Sequence, residues 1–215
     1  MDLDYQSLIA EVADCSIDNK IAFLREQLPS HWRQAYERMS SRETSLVCIR
    51  HNSFEFVYDN YSYLEVSGAI PYSLIEDRLV AVLGISEPPS MTRDDYRLKG
   101  WVGPTERTFG QKCDKGHFIA HSVGGAVDRL EVNVFIQSRD LNRGWSDEGK
   151  RYVAMEKYAA NHRGTFLFSR PLYEDQTSRP AFLEYGVLKE TGDLWVEVFD
   201  NRDVSLTLED KVQEK

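Results

Sequence analysis

Apolar positions at the start of the chain recur at helical spacing: Leu8, Ile9 and Val12, then Ile21, Leu24 and Leu28, then Trp32, Tyr36 and Met39. Residues 1–43 are therefore expected to be helical. Ser16 and Ser30 fit as N-caps, because their hydroxyls can accept from the free amides of a first turn, and Pro29 punctuates the second and third segments. From Thr44 to about Gly84 the texture changes. SLVCIRH, FEFVYDNYSYLEV and DRLVAVLGI are rich in β-branched and aromatic residues and predict strands. The tract GISEPPSMTRDD, residues 84–95, reads as a loop or boundary. Residues 96–136 hold short strand-like pieces broken by glycines and end in LEVNVFI. Leu141, Trp145, Tyr152, Met155 and Ala159 then fall on one face of a long helical pattern. GTFLFS, AFLEYGVL and WVEVF are further strand candidates, and the polar tail from Asn201 is expected to fray.

This alternation predicts an α+β fold with a mixed or antiparallel sheet and a helical N-terminal extension. The expected division is a helical then β-rich extension over 1–95, regulatory or packed on the core, a core over 96–200, and a polar tail over 201–215. There is no internal repeat and no low-complexity tract.

At 215 residues with 41% apolar and 12% aromatic content, the chain can bury a real core. No apolar run approaches the roughly 20 residues that a membrane helix needs. The acidic start MDLDYQSLIAEVAD lacks the basic and apolar regions of a signal peptide, so a cytoplasmic location is expected, or delivery to another cell by a non-Sec route. Cys15, Cys48 and Cys113 are odd in number and widely spaced, which suits a reducing compartment. The net charge of −9 argues at first against a polyanionic partner. Its distribution changes that picture: residues 101–170 carry 11 Lys and Arg against 8 Asp and Glu, and the rest carries 15 against 27.

That less acidic stretch holds the candidate chemistry. DKGH places His117 after a glycine, a Gly-Gly loop comes next, and Asn-Arg-Gly lies 25 residues after the histidine. A neutral imidazole with an ordinary pKa of about 6.5 is a good base for water. An Asn side-chain oxygen can hold Mg2+, which keeps most of its waters and needs few protein ligands. Lys115 or Arg143 could supply a cation beside a scissile phosphate. The local order of strand, histidine, loop, strand and helix is a ββα unit.

These residues together resemble the DNA/RNA non-specific endonucleases, which carry a His-Me finger (ββα-metal) core. That family's signature reads Asp-Arg-Gly-His, Gly-Gly, Asn-x-x-Pro-Gln and Asn-Arg/Gln-Gly. This chain has Asp114, Lys115, Gly116 and His117, then Gly124 and Gly125, Asn133 and Gln137, and Asn142, Arg143 and Gly144. GTFLFSRPLY and AFLEYGVL resemble two later family strands, so the likeness covers roughly residues 100–200. Lys115 stands where the family has Arg, Ile136 where it has Pro, and Arg170 where it has Gly. Lysine keeps the charge but loses the bidentate fork.

The resemblance implies a metal-dependent endonuclease acting on DNA, RNA or both and leaving 5′-phosphate ends. His117 would be the general base, Asn142 the direct metal ligand and Asp114 a turn-holding residue. Mg2+ would be the cofactor, with Mn2+ as a substitute. It also implies an outer-shell carboxylate on the metal-bearing helix. Tyr152-x-x-Met155-Glu156 matches the family pattern, yet Glu156 would lie about 21 Å from Asn142 along an unbroken helix. Glu148, about 9 Å along, is preferred. Arg93, Arg97 and Arg107 are candidates for a further phosphate contact. The expected partners are nucleic acid as substrate, no membrane, an inhibitor or immunity protein, and a second copy of the chain. Two alternatives stand beside this reading. One is a catalytically inactive nucleic-acid- or protein-binding module. The other is a structural zinc domain using Cys113, His117 and His121, which recur every four residues.

Overall fold

The computed structural model describes residues 3–40, 44–60, 77–90, 113–126, 131–175 and 177–202. Two helices open the chain, α1 (Tyr5–Ala10) and α2 (Ile17–Met39). The strands β1 (Leu46–His51), β2 (Phe54–Asp59) and β3 (Arg78–Ile85) come next. A hairpin of β4 (Cys113–His117) and β5 (Val134–Ser138) leads into the helices α3 (Arg139–Arg143) and α4 (Asp147–Asn161). The strands β6 (Phe166–Leu172), β7 (Phe182–Leu188) and β8 (Leu194–Asp200) complete the fold.

Six strands form one sheet in the order β1-β2-β3-β6-β7-β8, and every pairing among them is antiparallel. The β4–β5 hairpin is a separate two-stranded sheet. The architecture is α+β. The chain division expected near residue 95 falls between β3 and β6, which lie side by side in the large sheet.

Helices cover both faces of the sheet. On one face Leu24, Leu28 and Trp32 of α2 pack with Phe166 and Phe168 of β6 and Leu83 of β3. On the other, Tyr152, Met155 and Ala159 of α4 pack with Leu167, Leu183 and Tyr185, and Phe118 and Phe135 of the hairpin region join them. Burial on both faces explains why β6 reads as a continuous apolar run and not as an alternation. A buried polar chain fastens the N-terminal helices to the sheet. Tyr5 donates to Glu184 at 2.5 Å, Trp32 Nε1 donates to the Tyr5 hydroxyl at 3.0 Å, and Arg170 donates to Glu184 at 3.0 Å.

Several local expectations give way to tertiary structure. Pro29 lies inside α2, which runs unbroken, so Ser30 is no cap. A proline in a helix interior costs about 3 kcal/mol. Burial of Leu24, Leu28 and Trp32 at four-residue spacing offsets that cost. Ser16 is a true N-cap and accepts from Asn19 N. The long helix expected from Leu141 to Ala159 is two helices, because Gly144 adopts φ 67° at the end of α3. Trp145 lies just past that break and is 60% exposed, not part of the core. Asn201 is fully buried. Its side chain accepts from Ser138 N and donates to the carbonyls of Ile136 and Pro180, so the tail is pinned there. No helix among the described residues is long and apolar enough to cross a membrane.

Candidate functional site

His117 is the last residue of β4, and the loop after it is held tightly. Asn133, fully buried, accepts from Ile119 N at 2.9 Å. Its amide nitrogen donates to the carbonyls of Ile119 at 2.9 Å and Ala126 at 2.8 Å. The backbone of Asn133 also accepts from Phe118 N. One side chain thus closes the loop that leaves the histidine. The Gly-Gly pair serves the same loop. Gly124 takes φ 95°, and a Cβ on Gly125 would collide with the Ile119 carbonyl oxygen. Asn133 and the two glycines therefore hold the loop that leaves His117.

The hairpin register pairs Lys115 with Ile136 and His117 with Val134, while Asp114 pairs with Gln137. Alternation along the strand sets Lys115 and His117 on one face and Asp114 and Gly116 on the other. Gly116 lies against Gln137, whose side chain would collide with any Cβ there.

Asp114 gathers α3. Its carboxylate accepts from Arg139 Nε at 3.0 Å, from Asn142 Nδ2 at 3.2 Å, and from Arg143 through Nε at 2.6 Å and Nη2 at 3.0 Å. Burial alone would raise the Asp114 pKa, but the bonds from Arg143, Asn142 and Arg139 outweigh it and hold the carboxyl below its ordinary value. Asp114 thus docks a helix onto the hairpin, a wider role than holding a turn. Arg139 is the partner that sequence reasoning missed. Its signal is the four-residue step from Arg139 to Arg143, which puts both on one helical face.

The bond to Asp114 also decides which way the Asn142 amide points. A carboxylate only accepts, so it must face the NH2 group, and Oδ1 is turned away from it. That oxygen is a neutral hard donor on a helix end, and it suits a divalent ion that keeps most of its waters. Asp114 itself is not available as a ligand, because both its oxygens are already engaged by cations and an amide. Arg143 is bound in the same clamp yet remains 46% exposed, with its guanidinium 5.0 Å from the centre of the Trp145 ring.

Two helices in place of one remove the 21 Å objection to Glu156, since that distance assumed an unbroken helix. Ser146 caps α4 by accepting from Gly149 N, and Gly149 lies so close to the Asp140 carbonyl that a Cβ there would clash. Glu148 sits in the first turn of α4. Glu156 lies two turns further on, close enough to the buried phenols of Tyr152 and Tyr185 for its charge to act on both. Loss of solvent pushes its pKa up to about 7. Gln137 faces Tyr152 from the hairpin. The structure thus brings Asp114, Asn142 and Arg143 into direct contact, puts His117 and Lys115 on the same strand as Asp114 but on its other face, and sets Glu148 and Glu156 two turns apart on one helix. Arg93, Arg97 and Arg107 lie outside the described residues.

The zinc alternative loses its geometry. Four-residue spacing converges on a helix, but Cys113 and His117 stand at opposite ends of a strand, about 13 Å apart at 3.3 Å per residue. Among the described residues no three His, Cys, Asp or Glu side chains gather as a metal site. Cys15 and Cys48 are exposed and Cys113 is buried.

No protein-family model matches the sequence. No curated protein matches it either. Several solved structures are similar in part, two of which serve as examples. One is described as "Structure of Sda1 nuclease with bound zinc ion", at 12% identity and TM-score 0.38, covering 80% of this chain and 82% of that one. The other is an extracellular endonuclease, at 14% identity and TM-score 0.36, covering 78% of this chain and 83% of that one. At this level of similarity the reading of the site rests on its own residues.

Proposed function

We propose that the protein is a metal-dependent endonuclease that hydrolyses phosphodiester bonds of DNA, RNA or both. The observation that carries this reading is the Asp114 clamp, which turns Asn142 Oδ1 outward from a helix docked on the strand that bears His117. His117 takes the proton of the attacking water, as a neutral imidazole can near neutral pH. Lys115, next but one to it on the same strand face, and the exposed edge of Arg143 attract the phosphate and balance its charge. Asn142 would hold the ion, Mg2+ or Mn2+, which would supply positive charge to offset the negative charge that develops as the phosphodiester is cleaved. Asn142 adds no negative charge beside a polyanion. Glu148 and Glu156 are the two carboxylates on the adjoining helix that could orient the ion's waters. An inhibitor or immunity protein and a homodimer stay as proposals that follow from the resemblance alone.

The test uses supercoiled plasmid and single-stranded RNA, each with Mg2+ or EDTA, on wild type and His117→Ala. Cleavage that needs both the metal and His117 is the expected result. Equal cutting by the variant would end the general-base role, and activity in EDTA would end the metal role. A purified protein that cuts neither polymer but still binds them would point to the inactive binding module.

A further inference from the structure

Trp145 is the largest exposed apolar side chain among the described residues, and it stands three residues from Asn142. Its position is set, not loose. Gly144, with φ 67°, turns the chain out of α3, and Trp145 N donates to the Asp140 carbonyl at 2.9 Å. The Arg143 guanidinium lies 5.0 Å from the centre of the indole, and Arg143 is itself held to Asp114 by two bonds. One face of the ring is thus occupied by a fixed cation, while the side chain as a whole stays 60% exposed. An indole left in water at the rim of a site forgoes the burial that usually accounts for tryptophan. The nearest acid on α4, Asp147, is neutralised by Lys150 at 2.7 Å, so the rim does not repel a phosphate chain on that account.

We propose that Trp145 is a stacking platform for an unpaired nucleobase beside the scissile phosphate, with Arg143 backing the ring. The preferred substrate is then single-stranded or locally unpaired nucleic acid. A base inside a duplex is stacked on both faces and can offer a face to Trp145 only after it leaves the helix, which costs a few kcal/mol. A base in a single strand offers its face without that cost. Stacking is tolerant of sequence because every base has a π-face, so this residue selects strandedness and not sequence.

The proposal rests on the nuclease reading, and the experiment separates the two. Binding of a labelled oligothymidylate, and of the same oligomer with abasic residues, is followed by fluorescence anisotropy in EDTA. Wild type, Trp145→Ala and Trp145→Phe are compared, and cleavage of single-stranded and duplex DNA is measured in parallel with Mg2+. Loss of one stack is expected to weaken oligothymidylate binding by about tenfold in Trp145→Ala, while Trp145→Phe stays within about threefold of wild type. Abasic binding should not change, and the single-strand preference in cleavage should fall. Equal losses for both oligomers, or none, would overturn the proposal and leave cleavage to be judged separately. Base-dependent binding lost in Trp145→Ala, in a protein that cuts no polymer, would support the stacking role and remove the nuclease reading.

Discussion

Replacing Asp114 with Asn is the most searching test of the site's construction, because it keeps shape and removes the charge that three α3 side chains share. The Asp114 side chain is 13% exposed and receives four hydrogen bonds, three of them from arginines. An amide has one acceptor oxygen and would turn its own NH2 toward a guanidinium. Arg139 is 21% exposed, so little water replaces what it loses, and its charge-assisted bond counts for about 1.5–2 kcal/mol. Arg143, 46% exposed, is rehydrated on release, and its pair counts at the surface value of about 0.5–1 kcal/mol. The sum is about 2–3 kcal/mol, or a fall in Tm of about 5–10 °C for a chain of this size. The sign with pH comes from the lowered Asp114 pKa. The carboxylate stabilises the fold above its ordinary titration range, and that contribution is lost as pH falls through the depressed value. Wild type and variant should therefore differ most at neutral pH and converge in acid. The Mg2+ concentration for half-maximal cleavage should rise as well, because the Asn142 amide loses its orientation. Urea and thermal melts from pH 3 to 7 measure the first effect, and Asp140→Asn, on the exposed face of α3, is the control. A Tm change within about 1 °C, with unchanged metal dependence, would refute the clamp.

The structure sets three further outcomes. Gly125→Ala drives a methyl into the Ile119 carbonyl and should cost about 3 kcal/mol or prevent folding, whereas Gly164→Ala, at φ 86° with open space, should cost about 1 kcal/mol; similar Tm values for the two would refute the loop argument. Tyr5→Phe strands the Trp32 indole N–H and removes one donor from Glu184, which should cost about 2 kcal/mol in urea melts, and a loss below about 0.5 kcal/mol would show that the buried chain carries no weight. Glu156, raised to about 7 from 4.5, keeps a proton in the native state that the unfolded chain releases between those values. Its contribution is complete below about pH 4.5 and is lost as pH rises through 7, on the order of 3 kcal/mol. Glu156→Gln should flatten that slope, and an unchanged stability profile would place the carboxyl in water.

The features that could be read from the sequence divide from the rest along a physical line. Periodicity reports which face of a local element meets the core, so strands β1, β2, β3, β6, β7 and β8 and the Tyr152, Met155 and Ala159 face of α4 were legible. It does not report contacts between segments. Pro29 looks like a stop until the burial around it is known, and Cys113, His117 and His121 look convergent until the first two prove to lie on a strand. Trp145 matched the helical face of Leu141 and Tyr152 only if the helix was continuous, and the positive φ of Gly144 breaks that continuity.

The candidate site shows the same limit more sharply. Asp114, Asn142 and Arg143 were legible as residue types, and the chemistry they suggest did not depend on the fold. Their mutual bonds span 28 and 29 positions, and no local pattern encodes them. Asn133 and Asn201 carry the point further. Both are fully buried, and both spend their amides on backbone groups of distant segments, Ile119 and Ala126 for one, Ser138, Ile136 and Pro180 for the other. A buried amide is tolerated only when its hydrogen bonds are met, so each marks a place where chain crossings must stay in register. Asn133 closes the loop behind His117, and Asn201 ties the end of β8 to β5, the strand that leads into α3. The two asparagines thus brace the hairpin on which the clamp and the histidine are mounted. The metal ligand and base proposed above would owe their fixed relation in part to these two amides, which lie outside the clamp itself.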